Sequence, residues 1–418
     1  MGGVIARSLT PRAPGCEGPA MTAPLEGIRV VEVASFVAAP SAGALLADLG
    51  AEVIKVEVPE GELYRHTRPR MNGFDSDIDV SPAFEMDNRG KRSLALDLSR
   101  PEARDALLRV IDRADVLLTN LLPGRQLRFG LDPATLRARR PGLVHATLNG
   151  YGTRGDEADR PAFDYTAYWA RTGMMDILRA PDATPAFLRP GTGDHAAGMS
   201  LVCGILAALR VRDRTGVGQA IEVSLLQIGL YIQGNDLAQV LVAGESPPMH
   251  DRKQPRNPLW NLYPTRDERW LMLVMIDSIR YWAPLCRALG REDLIADPRF
   301  SGAVERYKNS RALVEILDPI FVSRSLADWE QALETSGIIW SAVRRLDEVA
   351  ADPQARDMGY LPTVEHPRVG AFTGVGTPFL MSAFPMPANR PAPELGADSA
   401  ELLREAGLSA DEIAKLLG

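Results

Sequence analysis

The stretch LEGIRVVEVASFVAAPSAGALLADLGAEVIKVEVP, residues 25–59, contains two apolar strand patterns on either side of one helical pattern. The strands are predicted over Ile28–Val33 and Val53–Glu57. The helix is predicted from about Ser41 to Leu49, with Gly50 just after its end, where a left-handed C-cap favours glycine. A strand, a helix and a second strand in such close succession predict a βαβ unit.

The same alternation continues along the chain. The next elements are a helix whose apolar face is Leu107, Val110, Ile111 and Ala114, a strand over Val116–Thr119, a strand and turn over 142–152, an apolar helix from about Ala196 to Val211 and a strand over 220–225. This pattern predicts an α/β fold with a doubly wound, mostly parallel sheet that carries helices on both faces.

The residues that follow the first strand exclude one common use of such a sheet. They read ASFVAAPSAG, residues 34–43, and contain no GxGxxG fingerprint for a dinucleotide pyrophosphate. A plain NAD-dependent dehydrogenase is therefore disfavoured.

Composition excludes other classes of protein. The net charge of −7 argues against nucleic-acid binding, and no run of about 18 apolar residues predicts a membrane span. The three cysteines and five histidines lack the spacings of disulfide frameworks or metal sites. We therefore expect a cytoplasmic protein with no metal, no nucleic-acid partner and no membrane partner.

Changes in composition divide the chain into five parts. Residues 1–23 are rich in Gly, Pro and Arg and predict a disordered extension, with Met21 as a second possible start. The others are a large domain over 24–235, a polar linker over 236–256, a smaller α+β domain over 257–345 that opens with a hairpin, and a looped segment over 346–418 that ends in two short helices.

Two basic clusters border predicted strands. Arg89, Lys91 and Arg92 precede one strand, whereas Asn120, Arg125 and Arg128 follow another. Because parallel sheets bind ligands at their strand ends, either cluster could hold phosphates; a solvated surface run is the alternative for each.

A lone carboxylate lies in the apolar stretch RPAFDYTAYWARTGMM, residues 160–175. Asp164 could be the N-cap of a helix over Tyr165–Met175. Asp194, in GTGDHAAG, could also be a cap. A carboxylate can instead attack a carbonyl that carries a good leaving group, such as a thioester, if donors stabilise the oxyanion.

Seven motifs in this order resemble the family III CoA-transferases, also called the CaiB/BaiF family. They extend from about Pro24 to the C-terminus and lie at residues 24–61, 88–98, 114–131, 149–152, 163–173, 193–227 and 352–361. The resemblance implies a Rossmann-like large domain completed by residues 346–418, and an interlocked homodimer.

The resemblance assigns the chemistry to Asp164. This carboxylate would attack an acyl-CoA thioester, CoA thiolate would then form an aspartyl-CoA thioester, and an incoming carboxylic acid would reverse the steps. No tightly bound cofactor is implied, since coenzyme A and acyl-CoA are substrates. The positions that match CoA contacts in the family are Phe36, Val37, Ala38, Lys91, Arg92, Asn120 and Arg128.

The chain departs from well-known members of the family in three places. Val58 and Asn149 stand where some members carry Arg and Lys, and residues 255–270 replace a glycine-rich lid. We therefore expect differences in adenosine and phosphate binding, and active-site closure that differs or uses Asn257–Tyr263.

Two alternative functions remain. Racemases and epimerases of the same family pair the aspartate of the GD loop with a His, but Phe163 occupies that His position here. A CoA-binding protein without turnover would need no nucleophile, so Asp164 counts against it. For a transferase, the aromatic residues around Asp164 suggest a medium-sized or aromatic acid that exchanges CoA with succinyl-CoA or a similar donor.

Overall fold

The computed structural model describes residues 23–384 and 386–418. The predicted N-terminal extension and the alternative start at Met21 therefore lie outside the described residues, except for Ala23. By contacts between residues, the chain divides into a larger and a smaller compact unit. The larger unit comprises the described residues up to Met174, Phe187–Val242 and Gln354–Gly418, and the smaller unit comprises Met175–Ala186 and Ala243–Pro353.

The larger unit is built on a parallel sheet. Its strands are β1 (Arg29–Val33), β2 (Glu52–Glu57), β3 (Arg92–Ala95), β4 (Val116–Thr119), β5 (Val144–Asn149) and β6 (Ala220–Ser224). They lie in the order β3-β2-β1-β4-β5-β6, and every neighbouring pair is parallel. This is the doubly wound order, which changes direction between β1 and β4, so the sheet predicted from the alternation is confirmed.

Helices connect these strands. They are α1 (Ala38–Asp48), α2 (Pro82–Asn88), α3 (Pro101–Ile111), α4 (Pro123–Phe129), α5 (Pro133–Arg139), α6 (Met174–Ile177), α7 (Thr192–Thr215), α8 (Leu225–Ile232) and α9 (Gly234–Ala243). Because α9 is helical, the linker predicted from residue 236 begins inside an element. The helix predicted over Tyr165–Met175 is confirmed only in part: Tyr165–Ala170 form a short π-helix, and a turn over residues 171–173 separates it from α6.

Helix α7 is the longest described element. Its length and mean hydropathy of 1.3 would allow a membrane span, although it packs against α1, β5 and β6. Gly198 makes the contact with α1 possible, because a Cβ at this position would lie 2.2 Å from the Ser41 Oγ and 2.8 Å from the Ala38 O. The two helices are therefore in close contact near their N-terminal ends.

The smaller unit contains the predicted hairpin. Strands β7 (Trp260–Pro264) and β8 (Trp270–Val274) are antiparallel, and β9 (Trp340–Ala342) extends them to three strands. Its helices are α10 (Ser278–Ala288), α11 (Ala303–Lys308), α12 (Ser310–Val322), α13 (Leu326–Leu333) and α14 (Leu346–Val349). Residues 175–186, assigned to the large domain by sequence, group with this unit.

The chain then returns to the larger unit. Its last elements are α15 (Pro353–Asp357), β10 (Thr363–His366), β11 (Gly370–Thr373), α16 (Ser399–Glu405) and α17 (Ala410–Leu417). Leu402 and Leu403 are buried in the same apolar cluster as Leu107 and the sheet residues Val31 and Leu117. The two C-terminal helices therefore cover one face of the parallel sheet.

Candidate active site

The candidate site lies at the carboxyl ends of β1, β4 and β5. The loops after these strands, the residues just before Asp164 and the first turn of α7 border a small cavity of about 90 Å³. Its walls include Phe36, Val37, Ala38 and Asn120, four of the seven positions predicted to contact CoA. This edge is the one at which parallel sheets bind ligands.

Asp164 is buried beside this cavity. Its side chain is 2% exposed, and the neighbouring Phe163 lines the cavity wall. The carboxylate does not cap the helical turn that follows; its Oδ2 accepts a hydrogen bond of 3.0 Å from the Gly191 N–H. The capping hypothesis for Asp164 is therefore wrong, and the carboxylate is held by the loop that leads into α7.

Burial governs the titration of Asp164. Removal from water raises the pKa of this carboxyl above its ordinary value, and the backbone N–H groups of Gly191, Tyr165 and Gly193 oppose that rise. The first turn of α7 also presents the positive end of the helix dipole. The Asp164 carboxyl is thus removed from water and interacts with three backbone N–H groups.

Glycine is required at two positions around Asp164. Gly191 has φ +92°, in the left-handed region that residues with a Cβ rarely adopt. At Gly193, a Cβ would lie 2.5 Å from the Tyr168 Cγ. The glycine-rich sequence GTG thus allows α7 to begin against the carboxylate and the ring of Tyr168.

Asp194 and His195 follow in the first turn of α7. Burial, together with the charge of Asp164, raises the pKa of Asp194 to about 7. Burial opposes the charge on His195, but a 2.9 Å hydrogen bond with Asp87 outweighs it and raises the pKa of the imidazole. Asp87 was not predicted from the sequence, where its one notable feature is its position immediately before the NRGK motif.

The loop after β1 has a strained backbone. Phe36 has φ +66°, which is costly for a residue with a Cβ, and its N–H donates to Glu62 at 2.6 Å. Asn120 holds the preceding residue, Ser35, by accepting from its N–H and donating to its carbonyl oxygen. The Phe36 ring meets the Phe163 ring edge to face at 5.3 Å. Asn120 therefore positions the loop.

Lys91 contributes to a buried ion-pair chain. Its Nζ lies 2.7 Å from Glu32 and donates to the Pro40 carbonyl and to Asn88. Glu32 in turn pairs with Lys55, which pairs with Glu62 at 2.7 Å. Burial lowers the pKa of Lys91 to about 8. The side chain is fully buried and engaged by protein groups, which does not support the predicted contact with CoA.

Arg92 lies at the other edge of the sheet. It begins β3 and pairs with Glu52, at the start of β2, and with Glu405 in α16. The carboxyl ends of the strands, where the candidate site lies, are at the opposite edge. The prediction that Arg92 contacts CoA is therefore not supported by its position, since the residue is the first of its strand and lies at the amino end.

Arg128 and Arg125 have the exposure that Arg92 lacks. Both guanidinium groups are exposed in α4, which follows β4, and lie over the Phe129 ring at 5.5 and 5.3 Å. Neither has a carboxylate within ion-pair distance in the described part of the chain. An anion at this end of the sheet could therefore reach Arg128.

Asn149, at the end of β5, presents an unused donor to the small cavity. Its Oδ1 accepts from the Gly152 N–H at 2.7 Å, which fixes the orientation of the amide. Its Nδ2 is buried and has no hydrogen-bond partner among residues 23–384 and 386–418. Buried donors are normally paired, so this nitrogen is a candidate donor to a ligand atom.

The aromatic residues around Asp164 divide into two groups. Tyr168 and Trp169 are buried and pack together edge to face, whereas Phe163 is exposed towards the Phe36 loop. Tyr165 stacks on the exposed ring of Phe187. Of these rings, the ones that are not buried, those of Phe163, Tyr165 and Phe187, are the ones that can contact a ligand.

In the described ranges, no cluster of three His, Cys, Asp or Glu side chains could hold a metal ion.

The chain is similar to known proteins over most of its length. Residues 25–399 match a protein family described as CoA-transferase family III. The chain is 30% identical over 391 residues to (R)-2-hydroxy-4-methylpentanoate CoA-transferase of Clostridioides difficile, and the match covers 93% of this chain and 97% of the relative. It is 32% identical over 394 residues to cinnamoyl-CoA:phenyllactate CoA-transferase of Clostridium sporogenes, over 93% and 95% of the two chains.

Solved structures show the same fold. The crystal structure of a CAIB/BAIF family protein from Brucella suis superposes with a TM-score of 0.81 at 29% identity and covers 92% of this chain and all of that one. A structure of Rv3272 from Mycobacterium tuberculosis in an orthorhombic form gives a TM-score of 0.79 at 30% identity over 91% and 99% of the two chains.

Proposed function

The chain belongs to CoA-transferase family III, and from that premise we propose that Asp164 is the nucleophile that carries CoA between two carboxylic acids. The protein is an enzyme that moves CoA from an acyl-CoA thioester to a free carboxylic acid. The observation that carries the role of Asp164 is its position: a carboxylate 2% exposed, held by a backbone N–H beside the cavity that the predicted CoA positions line.

The reaction begins with two transfers on the donor side. A carboxylate oxygen of Asp164 attacks the thioester carbonyl carbon, the C–S bond breaks, and CoA leaves as thiolate, which produces a mixed anhydride. The thiolate then attacks the Asp164 carbonyl carbon, and the donor acid leaves as a carboxylate. The aspartyl-CoA thioester conserves the energy of the original thioester.

The acceptor acid reverses these transfers. Its carboxylate attacks the Asp164 carbonyl carbon and releases CoA thiolate, and the thiolate attacks the acceptor carbonyl carbon of the new anhydride. The bridging oxygen remains on Asp164, which becomes a carboxylate again. One acceptor oxygen is therefore left on the protein in each turnover.

Asn149 is our candidate for the donor that stabilises the oxyanion. Each step passes through a tetrahedral centre whose negative oxygen needs a hydrogen bond in a dry site. The buried Nδ2 of Asn149 lines the small cavity together with Phe163 and has no partner in the described structure. A donor that is already desolvated needs little reorganisation when the oxyanion forms.

The remaining predicted contacts support a CoA position at this edge. Phe36, Val37 and Ala38 line the small cavity together with Asn120, while exposed Arg128 follows β4 and can meet a phosphate. We retain these five as CoA-site residues; Asn120 would act by positioning the loop after β1. We propose that Lys91 and Arg92 instead stabilise the fold through their ion pairs.

Racemization has less support than transfer. It needs two groups that exchange protons with opposite faces of the substrate carbon. Phe163 offers no such group, and His195 is engaged by Asp87 at 2.9 Å.

The names of the two relatives describe branched and aromatic acids, which agrees with a medium-sized or aromatic acid as substrate here.

The homodimer is supported by an exposed apolar face on α8 and α9. Tyr231, Leu241 and Val242 are 81, 78 and 90% exposed, and α9 has no buried residue. Single exposed apolar residues are ordinary, but several highly exposed ones on two consecutive helices are typical of an interface. We propose that a second copy of the chain covers it in the interlocked arrangement.

Oxygen tracing tests the nucleophile. The enzyme turns over an acyl-CoA with an acceptor acid labelled with oxygen-18 in its carboxylate, and the peptide containing Asp164 is then analysed by mass spectrometry. We expect the label on Asp164 and on no other carboxylate. Transfer of CoA to the acceptor without label in this peptide would exclude Asp164 as the covalent carrier.

A further inference from the structure

A second, larger cavity of about 600 Å³ borders the first turn of α7. Asp194 lines the small cavity and His195, the next residue, lines this one. Six apolar side chains make up much of its wall: Leu45, Met86, Met199, Val375, Phe379 and Leu380. Its volume lies in the range of small-molecule sites, about 300–1,000 Å³.

The charged groups in this wall are already paired. Arg89 donates to Asp48, with Nη2 and Nε at 2.5 and 2.9 Å from Oδ2, and to the Met86 carbonyl oxygen. The His195 Nε2 lies 2.9 Å from Asp87. Each cation of the lining is therefore already paired with a protein carboxylate, Arg89 with Asp48 and His195 with Asp87.

His195 connects the cavity to the nucleophile. A Cβ built on Gly191 would lie 3.4 Å from the His195 Cε1, and the Gly191 N–H donates to Asp164 at 3.0 Å. His195 is also close enough to Asp164 for its charge to lower the pKa of that carboxyl, so this part of the wall lies near the proposed nucleophile. The hydrocarbon part of an acyl group whose carbonyl lies at Asp164 would find apolar wall on this side.

Resting on the proposed function, we propose that the 600 Å³ cavity holds the hydrocarbon part of the acyl group and selects monocarboxylic acids with a medium-length or long apolar chain. Burial of each methylene group in this wall strengthens binding about three- to fourfold. A dicarboxylyl group such as succinyl would place its distal charge against apolar side chains, so succinyl-CoA is expected to be a poor donor.

Isotope exchange tests this inference without knowledge of the physiological pair. Each acyl-CoA, from acetyl to dodecanoyl and including succinyl, is incubated with its own labelled free acid, and kcat/KM for entry of label into the thioester is measured. We expect kcat/KM to rise about three- to fourfold per methylene through the middle of the series. Succinyl-CoA should exchange at least about tenfold more slowly than hexanoyl-CoA.

Two variants localise the effect. Met199→Trp and Val375→Trp, at side chains 41 and 50% exposed, should narrow the cavity and shift the optimum to shorter chains. Leu206→Trp, 37% exposed on the same helix and outside the lining, is the matched control and should keep the wild-type profile.

The outcomes separate this inference from the proposed function. Exchange without chain-length preference, or a profile that both cavity variants leave unchanged, would overturn the acyl assignment while the role of Asp164 stands. Loss of the dimer in Met199→Trp with an unchanged profile would mean that a second copy fills the cavity. Exchange that persists in Asp164→Ala would contradict the proposed function itself.

Discussion

Asp164 and Gly191 are joined by a hydrogen bond of 3.0 Å, although 27 residues separate them in the chain. The donor lies where α7 begins, and the acceptor lies in the apolar stretch before the π-helical turn. This contact fixes the direction of a desolvated carboxylate by backbone geometry. The proposed nucleophile is thus held by a backbone donor of the fold.

Asp194 should set the alkaline limb of the activity profile. Its pKa of about 7 means that it is neutral below that pH and charged above it. The charge would repel both the acceptor carboxylate and the developing oxyanion, so activity should fall as the pH rises through 7. Asp194→Asn stays neutral and should lose this limb; an unchanged limb in the variant would contradict the assignment.

The same substitution should affect stability with a defined sign. The folded-state pKa of Asp194 is raised from 3.8 to about 7, so its carboxyl ionises more easily in the unfolded chain than in the folded protein. The folded protein therefore loses stability as the pH rises through this window. At pH 8, Asp194→Asn should therefore increase the free energy of unfolding, by at most about 4 kcal/mol. Urea unfolding at pH 5 and 8 measures the difference, which should shrink at the lower pH.

Lys91 and Arg128 should behave in opposite ways. Lys91→Met removes one ion-pair partner of buried Glu32 and should lower the free energy of unfolding by about 3–5 kcal/mol. The KM for acyl-CoA, measured on the folded fraction, should stay within about twofold of wild type. Arg128→Ala should leave stability within about 0.5 kcal/mol and raise this KM about three- to tenfold, more at low salt. An Arg128→Ala enzyme with wild-type KM at low salt would remove Arg128 from the CoA site.

Asn149 should contribute to the rate more than to binding. Asn149→Asp keeps an acceptor for the Gly152 N–H but has no donor when ionised, and Asn149→Leu removes both. Both should lower kcat about 10²–10³-fold with little change in KM, the usual loss for an oxyanion donor. A kcat within about threefold of wild type in both variants would show that Nδ2 does not serve the reaction.

The proposed dimer interface should respond to a charge on α9. Leu241→Asp should weaken the proposed dimer and lower the unfolding midpoint at a given protein concentration, because folding and association would be coupled in an obligate dimer. Leu63→Asp, at a side chain 69% exposed against 78% for Leu241, is the control. Equal sedimentation and unfolding of both variants would place the interface elsewhere.

The doubly wound parallel sheet could be predicted because strands and helices alternate along the chain and each carries its own periodicity. The ion pairs of Arg92 could not be predicted, since its partners Glu52 and Glu405 are brought to it by the fold. The same holds for Lys91, whose partner Glu32 lies in a distant part of the sequence.

The sequence motifs point to Asp164 and to the loop after β1, which the structure places at the same edge of the sheet, but they do not show the contacts that support these residues. The left-handed backbone of Phe36 and its hydrogen bond with Glu62 have no sequence pattern. The contact of Asp87 with His195 depends on how α2 packs near α7. Such contacts arise from tertiary packing, which local periodicity does not encode.

Trapping the intermediate tests the central claim most directly. The enzyme is incubated with a panel of acyl-CoAs, quenched with hydroxylamine or borohydride, and digested for mass spectrometry, with Asp164→Ala and Asp194→Asn in parallel. The account predicts modification of the peptide containing Asp164 in the wild type and in Asp194→Asn, and none in Asp164→Ala. CoA transfer that continues in Asp164→Ala, or an adduct on another residue, would contradict it.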